Sequence, residues 1–222
     1  MSSEIIRRNR REFLPAAGHD LFLPLYDPLV SLLGGDRARQ ELITQARSEA
    51  GQRVLDIGCG TGTLMLLLKK QHPAVEVIGL DPDPKALRRA KSKAGNAAVS
   101  LQFDQGFADE LPYQNGSFDR VLSSFVFHHL EEQDRETMLR EALRVLKSTG
   151  SLHLLDFAGG DRGSHGLLGH LIHSSHRLKD NSEERIVQLM RRAGFSHARK
   201  VKDGSMLFGM LKTSYFESGS TF

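Results

Sequence analysis

Residues 54–62, with the sequence VLDIGCGTG, limit what this chain can fold into more than any other segment. The apolar run predicts a buried strand that leads directly into a glycine-rich turn. Because glycine has no Cβ, Gly58, Gly60 and Gly62 allow this turn to take positive φ angles and to approach a ligand closely. The helix predicted after the turn points its N-terminal N–H groups back at it. The segment therefore predicts an α/β fold with a nucleotide-like ligand at the end of a strand.

The spacing of the glycines argues against a dinucleotide as that ligand. A dinucleotide-binding turn has the pattern G-x-G-x-x-G and faces a pyrophosphate. Here the pattern is G-x-G-x-G, and Asp56 stands at the strand end just before it. A carboxylate in this place repels a pyrophosphate and suits a ligand with a positively charged ammonium group. S-adenosylmethionine (SAM) carries such a group together with a sulfonium.

A second apolar run, residues 75–80, ends at Asp81. A carboxylate about 20 residues after the glycines can accept hydrogen bonds from both ribose hydroxyls of a nucleotide. The alternative, that Asp81 only ends a strand, is disfavoured by the glycine-rich turn upstream. Asp83 and Pro84 predict the cap and the first turn of the next helix. We therefore predict that Asp81 binds a ribose and that Pro82 belongs to the same site.

Four motifs, taken in order, resemble those of the class I SAM-dependent methyltransferases, and above all the small-molecule branch related to ubiquinone and menaquinone biosynthesis. They are VLDIGCGTG at 54–62, VIGLD at 77–81, LPY at 111–113 and SFDRVL at 117–122. The resemblance implies an α/β, Rossmann-like, doubly wound fold with a mostly parallel seven-stranded sheet and a C-terminal antiparallel hairpin. It also implies SAM as the cofactor and methyl transfer as the activity.

The resemblance assigns parts of the cofactor to particular residues. Asp56 and the turn Gly58–Gly62, with Cys59 inside it, are expected to hold the methionine part of SAM. Backbone carbonyls around Ser123 and Ser124, at the end of the fourth strand, are expected to contact the methionine ammonium group. The two halves of the predicted site therefore come from neighbouring strands of one sheet.

The sequence departs from the family pattern where adenine is recognised. Relatives have a Gly-Asp-Ala turn before Leu-Pro, and its Asp accepts a hydrogen bond from the adenine amino group. Phe107 stands in that place; its ring cannot accept the bond but can pack on adenine. We expect Phe107 and Ala108 on the adenine side of the site, through packing and backbone groups. Asp109 and Asp104 are the alternative acceptors.

Methyl transfer from a sulfonium is an in-line displacement, so the protein must align the acceptor and exclude water. A general base helps only if the acceptor is a hydroxyl or an acidic carbon. His129 and Tyr26 are the candidate catalytic residues. The alternatives, that His129 only begins a loop and that Tyr26 packs in an apolar helix, stay open. His128 is predicted to be structural, with a hydrogen bond to the backbone.

The chain is predicted to fold as a single domain, with residues 1–50 as an N-terminal helical lid segment and residues 51–216 as the SAM-binding methyltransferase domain. The lids are expected at 21–27 and at 165–176. The second of these holds four histidines at helical spacing, but no cysteine supports a metal, so no metal site is predicted. A β-hairpin is predicted from 196–202 and 205–213, with its turn at Asp203-Gly204.

Composition favours a cytoplasmic enzyme. Cys59 is the single cysteine, so the chain has no internal disulfide, which fits a reducing compartment. No apolar run reaches the roughly 18 residues that a membrane span requires. The twin-arginine-like residues 10–14 lack the continuous apolar run of an export signal. The formal net charge of +3 comes from clusters on predicted helix surfaces without interleaved aromatics, so no nucleic acid is expected.

The sequence therefore predicts a SAM-dependent methyltransferase that modifies O, N or C of a small, partly apolar molecule, as a monomer or homodimer. Two alternatives stay open. The first is an RNA or protein methyltransferase, which the absence of an Asn/Asp-Pro-Pro-Tyr motif at 123–126 disfavours. The second is a fold relative that binds SAM without catalysing a reaction, which the phenylalanine at position 107 suggests.

Overall fold

Strands and helices alternate along the chain, as the repeated apolar runs predict. The computed structural model describes residues 30–158 and 182–219. The strands are β1 (Arg53–Ile57), β2 (Glu76–Asp81), β3 (Gln102–Gln105), β4 (Phe118–Ser124), β5 (Leu146–Phe157), β6 (Arg199–Met206) and β7 (Leu211–Gly219). The α-helices are α1 (Gly35–Ala46), α2 (Thr63–Gln71), α3 (Pro84–Asn96), α4 (Glu132–Val145) and α5 (Glu183–Arg192).

The seven strands form one sheet in the order β3-β2-β1-β4-β5-β7-β6. Strands β1 to β5 run parallel to their neighbours in this part of the sheet. Strand β7 is antiparallel to both β5 and β6. The strand order reverses between β1 and β4, which is the switch point of a doubly wound sheet. The predicted Rossmann-like fold with a C-terminal antiparallel hairpin is confirmed.

Polar caps define where two helices begin. The Asp83 side chain accepts a hydrogen bond from Lys85 N at 2.8 Å, and Pro84 occupies the first turn of α3. The Ser182 side chain accepts from Arg185 N at 3.4 Å at the start of α5. A cap of this kind stabilises a helix by about 1 kcal/mol. The start of α3 lies where the sequence predicts it, because capping is a local interaction.

Two apolar clusters, one on each face of the sheet, form the core. Helices α4 and α5 pack on one face, and α1 and α2 pack on the other. Side chains of β5 alternate between them: Leu152 and Leu154 belong to the first cluster and Leu155 to the second. This is the period of two expected of a strand that is buried on both faces.

Helix α1 comes from the N-terminal segment that the sequence assigns to a lid. Leu42 and Ile43 of this helix are fully buried, and Ala38 and Ala46 are nearly so. Residues 35–46 therefore contribute to the core of the sheet. The remainder of the predicted lid segment up to residue 29 lies outside the described residues.

The C-terminal hairpin forms, but the predicted turn at Asp203-Gly204 is wrong. Both residues lie inside β6, and the chain reverses through the 3₁₀ turn Leu207–Gly209. A Cβ on Gly204 would lie 2.7 Å from Thr213 Oγ1 and 2.9 Å from the Tyr215 ring. The glycine is needed because β7 approaches closely, whereas the dipeptide considered alone favours a turn.

Replacement of Leu42 by alanine is expected to lower the free energy of unfolding by about 2–5 kcal/mol, because it removes a fully buried side chain. Leu32→Ala is the matched control, since Leu32 is 80% exposed, and should change stability by less than about 0.5 kcal/mol. Urea unfolding followed by circular dichroism measures both. Equal effects of the two variants would show that α1 is not part of the cooperative core.

Candidate cofactor and active site

The predicted cofactor residues meet where the strand order reverses. Asp56 is the penultimate residue of β1, Asp81 ends β2 and Ser124 ends β4. Parallel strands bring their carboxyl ends to the same edge of the sheet, and ligands of open α/β folds bind in the crevice there. The fold therefore brings together three positions that lie far apart in the sequence.

The glycine-rich turn after β1 takes the conformation that its glycines predict. Gly58, Gly60 and Gly62 have φ angles of 73°, 52° and 75°, a region that residues with a Cβ avoid. A Cβ on Gly58 would overlap Val126, and one on Gly62 would lie 3.1 Å from Ala90. A Cβ on Gly60 would meet no atom within 4 Å among the described residues. Gly58 and Gly62 thus serve packing as well as backbone shape, while Gly60 serves backbone shape alone.

Hydrogen bonds hold this turn against the end of β2. Leu80 O accepts from Gly58 N at 2.8 Å. Asp81 Oδ2 accepts from Gly60 N at 2.8 Å, and Asp81 Oδ1 accepts from Asp83 N at 2.9 Å. Burial raises the pKa of Asp81, while these two N–H donors oppose the rise. Each oxygen of Asp81 keeps acceptor capacity for a ribose hydroxyl.

Asp56 is a buried carboxylate without a polar partner. It is 2% exposed, and neither carboxylate oxygen has a hydrogen-bond partner within the described part of the chain. Burial raises the pKa of Asp56 to about 8, with the Arg39 guanidinium lowering it and the neighbouring Asp81 raising it further. A buried, uncompensated acid is unfavourable for folding. A ligand ammonium group beside Asp56 would supply the missing partner, so this side chain fits the methionine part of SAM.

Arg39 of α1 reaches the same edge, which no local sequence signal reveals. Its guanidinium carbon lies 5.4 Å from the centroid of the Phe125 ring, and that ring lies 4.9 Å from the Phe157 ring. Phe125 follows β4 directly and has a φ of 58°, a strained conformation for a bulky side chain. Such strain is typical of functional sites. A cationic and aromatic layer therefore adjoins Asp56.

Cys59 lies in the turn, but its side chain faces the core. It is 7% exposed, and a Cβ on Gly79 would lie 2.8 Å from its Sγ. Burial first, and then the charges of Asp56 and Asp81, raise the pKa of the thiol. The uncharged thiol is a poor nucleophile. Any contribution of Cys59 to a bound cofactor comes from its backbone.

The loop after β3 carries Phe107 and Ala108 to the cofactor edge, and both are partly buried. The N–H of the preceding glycine donates to Asp81 O at 3.2 Å, which ties the loop to the residue predicted to bind the ribose. Asp104 is already engaged, because its Oδ2 accepts from Tyr113 Oη at 2.9 Å. The assignment of Phe107 and Ala108 to the adenine side stays a prediction, and Pro82 stays one beside Asp81.

The end of β4 is tied to the end of β1. Ser123 Oγ donates to Ile57 O at 2.9 Å, and Ser123 is 2% exposed. Its hydroxyl is therefore used inside the protein, and only its backbone is available to a ligand. Ser124, the last residue of β4, is partly buried. Both serines lie where the resemblance expects backbone contacts to the cofactor, and those contacts stay predictions.

A buried histidine–aspartate pair joins the ends of β4 and β5. His128 Nδ1 lies 2.7 Å from Asp156 Oδ1, and His128 N donates to Asp156 Oδ2 at 2.9 Å. Burial favours a raised pKa for Asp156, but the attraction and hydrogen bonds of His128 outweigh it, so the pKa lies below its ordinary value. Asp156 is therefore ionised at neutral pH, and His128 Nδ1 holds the shared proton. The sequence predicts only a backbone partner for His128 and misses this pair.

His129 lies directly beside the pair. Its ring centroid is 3.9 Å from that of His128, and the residue is partly buried. Its role as a base stays a prediction. Tyr26, the other candidate catalytic residue, lies outside the described residues, as do the predicted lids at 21–27 and 165–176.

Neither a metal-ligand cluster nor a membrane-spanning helix is present in residues 30–158 and 182–219. No three His, Cys, Asp or Glu side chains in these ranges lie close enough together to hold a metal ion. No helix there is long and apolar enough to cross a bilayer. The histidine cluster at 165–176 is not among these residues.

Residues 54–150 match the family model of a methyltransferase domain. The demethylmenaquinone methyltransferase of Deinococcus radiodurans is 39% identical over 137 residues, covering 60% of this chain and 56% of that protein. The enzyme of the same name from Thermus thermophilus is 38% identical over 148 residues, covering 65% and 66%. These matches identify residues 54–150 as a methyltransferase domain similar to those of the class I SAM-dependent methyltransferases. The chain spans less than two thirds of the length of either relative.

Solved structures share the fold of this chain. Phosphoethanolamine N-methyltransferase 2 of Haemonchus contortus, in complex with SAM, has a TM-score of 0.77 at 15% identity, covering 93% of this chain and 58% of that chain. The [4+2]-cyclase SpnF has a TM-score of 0.71 at 16% identity, covering 95% and 98%. At such identities the likeness concerns the fold. Because one of these proteins is a cyclase, the fold alone does not define the reaction.

Asp56→Asn is expected to stabilise the ligand-free protein. The pKa of Asp56 is about 8 in the folded protein against an ordinary value of 3.8, so the folded state binds more protons between these pH values. This carboxyl therefore makes folding less favourable as the pH rises from about 4 to about 8. Asparagine does not ionise, so the variant does not lose this stability as the pH rises. The stability gap in favour of the variant should widen by about 1 kcal/mol per pH unit from pH 5 to pH 8, as measured by urea unfolding.

The control for this titration is Asp119→Asn, which should act in the opposite direction. Hydrogen bonds from Arg53 N and Lys147 outweigh the effect of burial and lower the pKa of Asp119. Its carboxylate therefore favours folding at neutral pH, and that contribution is lost as the pH falls through the folded-state pKa. If the difference in free energy of unfolding between Asp56→Asn and the wild type did not change with pH, the assignment of Asp56 as an uncompensated acid would be contradicted.

Proposed function

We propose that this protein binds SAM at the glycine-rich turn and transfers its methyl group to a small, partly apolar acceptor. The observation that carries the proposal is Asp56, a buried carboxylate without a polar partner in the described residues. It stands at the switch point of the sheet, directly before a turn of three glycines at positive φ. The cationic methionine ammonium group of SAM has the charge that this position lacks.

The cationic and sugar parts of the cofactor each have a matching carboxylate at this edge. Asp56 faces the ammonium group, and Asp81 accepts from the ribose hydroxyls. The N–H groups of Gly58 and Gly60 are bonded to Leu80 O and Asp81 Oδ2, so the turn serves the site through its shape. When bound, SAM supplies a methyl group on a sulfonium, ready for in-line displacement.

The acceptor belongs to the same proposal. The two relatives described above are named demethylmenaquinone methyltransferases, so a small molecule with apolar character is the acceptor class that they favour. A screen of metabolite pools for SAM consumption, followed by identification of the methylated product, tests the acceptor class directly.

Asp81→Ala is expected to weaken SAM binding by more than about 1.5 kcal/mol, or over tenfold, because it removes charged hydrogen bonds. Isothermal titration calorimetry with SAM and with its demethylated product measures the loss. Asp119→Asn is the control, since Asp119 lies near the start of β4 and is engaged with Arg53 N and Lys147, and its SAM affinity should stay within about twofold of wild type.

Three outcomes separate the alternatives. Unchanged affinity of Asp81→Ala would show that the ribose lies elsewhere. If neither ligand gives a heat of binding with the wild-type protein, the methyltransferase proposal itself is wrong. If the protein binds SAM and is also retained on RNA in a salt-sensitive way, the acceptor is a macromolecule and the proposed small-molecule acceptor is wrong.

We also propose that His129 contacts the acceptor and that the His128–Asp156 pair positions it. The ionised Asp156 fixes the His128 ring through Nδ1, and the His129 ring contacts that ring with 3.9 Å between centroids and 41° between the ring planes. A buried neighbour in contact restricts the orientations that the partly exposed His129 ring can take. For an acceptor with an acidic proton, His129 then has both the location and the chemistry of a general base.

His129→Ala is expected to lower kcat by about 100-fold or more while leaving SAM affinity unchanged, as removal of a general base does. His129→Gln should restore little of the rate, because an amide does not take a proton at neutral pH. Asp156→Asn should shift the pH profile of kcat, since it removes the charge that orients His128. A loss of less than about tenfold in His129→Ala would contradict the base assignment.

A further inference from the structure

A second cleft lies at the opposite end of the sheet from the cofactor site. Its volume is about 790 Å³, and its lining comes from the end of α1, the starts of β5 and β6, and the end of β7. Ser151 of β5 lines it, whereas Asp156 of the same strand lies at the cofactor edge. Five residues of extended strand separate the two positions by about 16 Å. The cleft is therefore distinct from the proposed SAM site.

The cleft is basic. Four arginines and two glutamates line it. Arg199 is paired with Glu217, with 3.0 Å between Nε and Oε1. No carboxylate among residues 30–158 and 182–219 lies within ion-pair distance of Arg47, Arg120 or Arg191, and Arg120 donates only to backbone carbonyls. Arg47, Arg120 and Arg191 thus line one cleft, and none of them forms an ion pair within the described residues.

A chain of hydrogen bonds adds a neutral donor to these charges. Gln45 Nε2 donates to Phe216 O at 2.9 Å, which fixes the orientation of its amide. The same Nε2 lies 3.1 Å from His153 Nδ1, so Nδ1 must accept and the proton sits on His153 Nε2. His153 Nε2 then donates to Ser151 Oγ at 2.9 Å. Because its oxygen accepts from His153, the Ser151 hydroxyl has its own O–H available for a ligand in the cleft that Ser151 lines.

The environment of His153 agrees with this proton arrangement. Burial first, and then the positive charges of Arg120 and Arg47, lower the pKa of His153 to about 3. The imidazole is therefore neutral at physiological pH, and its Nδ1 forms no ion pair with Glu217 Oε2, which lies 3.9 Å away. The neutral ring connects the Gln45 amide to the Ser151 hydroxyl, which lies at the wall of the cleft.

We propose that this cleft binds a phosphate group, either free or carried by a small phosphorylated molecule. A guanidinium group donates two parallel hydrogen bonds to two phosphate oxygens, and a hydroxyl group donates to a further oxygen. The volume lies within the range of small-molecule sites. No Phe, Tyr or Trp lines the cleft, so it lacks the stacking surface that nucleic-acid bases require. This site is independent of the proposed methyltransferase activity.

Calorimetric titration of the full chain with pyrophosphate, inorganic phosphate and glycerol 3-phosphate tests the proposal. Saturable binding of at least one of them, with a dissociation constant below about 1 mM, is expected. Arg47→Gln and Arg191→Gln should each weaken it by about tenfold, and Ser151→Ala by about fivefold. Tighter binding of pyrophosphate would assign the cleft to an inorganic anion, and tighter binding of glycerol 3-phosphate would assign it to a phosphate ester.

Arg37→Gln is the matched control. Arg37 lies on α1, its side chain is 84% exposed, and it pairs with Glu41 outside the cleft. All four variants should keep the wild-type circular dichroism spectrum and Tm, because the arginines altered are exposed and serine to alanine is a small change. An equal loss in Arg37→Gln would reveal non-specific attraction and overturn the proposal.

Saturating SAM provides the second control. Pyrophosphate affinity should be the same in its presence, since the two sites lie at opposite ends of β5. Displacement of pyrophosphate by SAM would place the anion at the glycine-rich turn and overturn the proposal. The absence of binding by all three phosphates would do the same.

Discussion

The carboxylate of Asp81 is the contact on which the cofactor edge of this fold depends. It accepts from Gly60 N and Asp83 N and so joins the turn after β1 to the turn after β2. The first of these turns holds three glycines at positive φ, which have no side chains to limit their conformation. The buried Asp81 carboxylate therefore fixes the conformation of a flexible glycine-rich turn, which can then bind a nucleotide-like ligand.

Asp56 and Asp81 are two buried carboxyl groups that lie close together in this arrangement. Burial raises the pKa of both Asp56 and Asp81, and the charge of Asp81 raises that of Asp56 further. Asp81 is compensated by N–H donors, whereas Asp56 depends on the more distant charge of Arg39. The ligand-free protein is thus less stable than a neutral variant would be. Such a local loss of stability at a binding site is a known consequence of selection for function.

Features that depend on neighbours in the sequence were predictable. The alternation of strands and helices, the cap at Asp83, and the positive φ angles of the glycine-rich turn all follow from local propensity. The turn predicted at Asp203-Gly204 was wrong because contact with β7, not local propensity, decides the conformation there. Where local and tertiary demands disagree, the sequence alone misleads.

By itself the sequence determined the fold class, the family and the edge of the sheet that meets the cofactor, because periodicity and turn chemistry act within a few residues. Only the tertiary structure paired His128 with Asp156, 28 residues away, and brought Arg39 beside the crevice. The basic cleft was equally invisible, since its arginines come from different elements of the chain. Long-range contacts of this kind depend on how the elements pack, and packing leaves no periodic trace in the sequence.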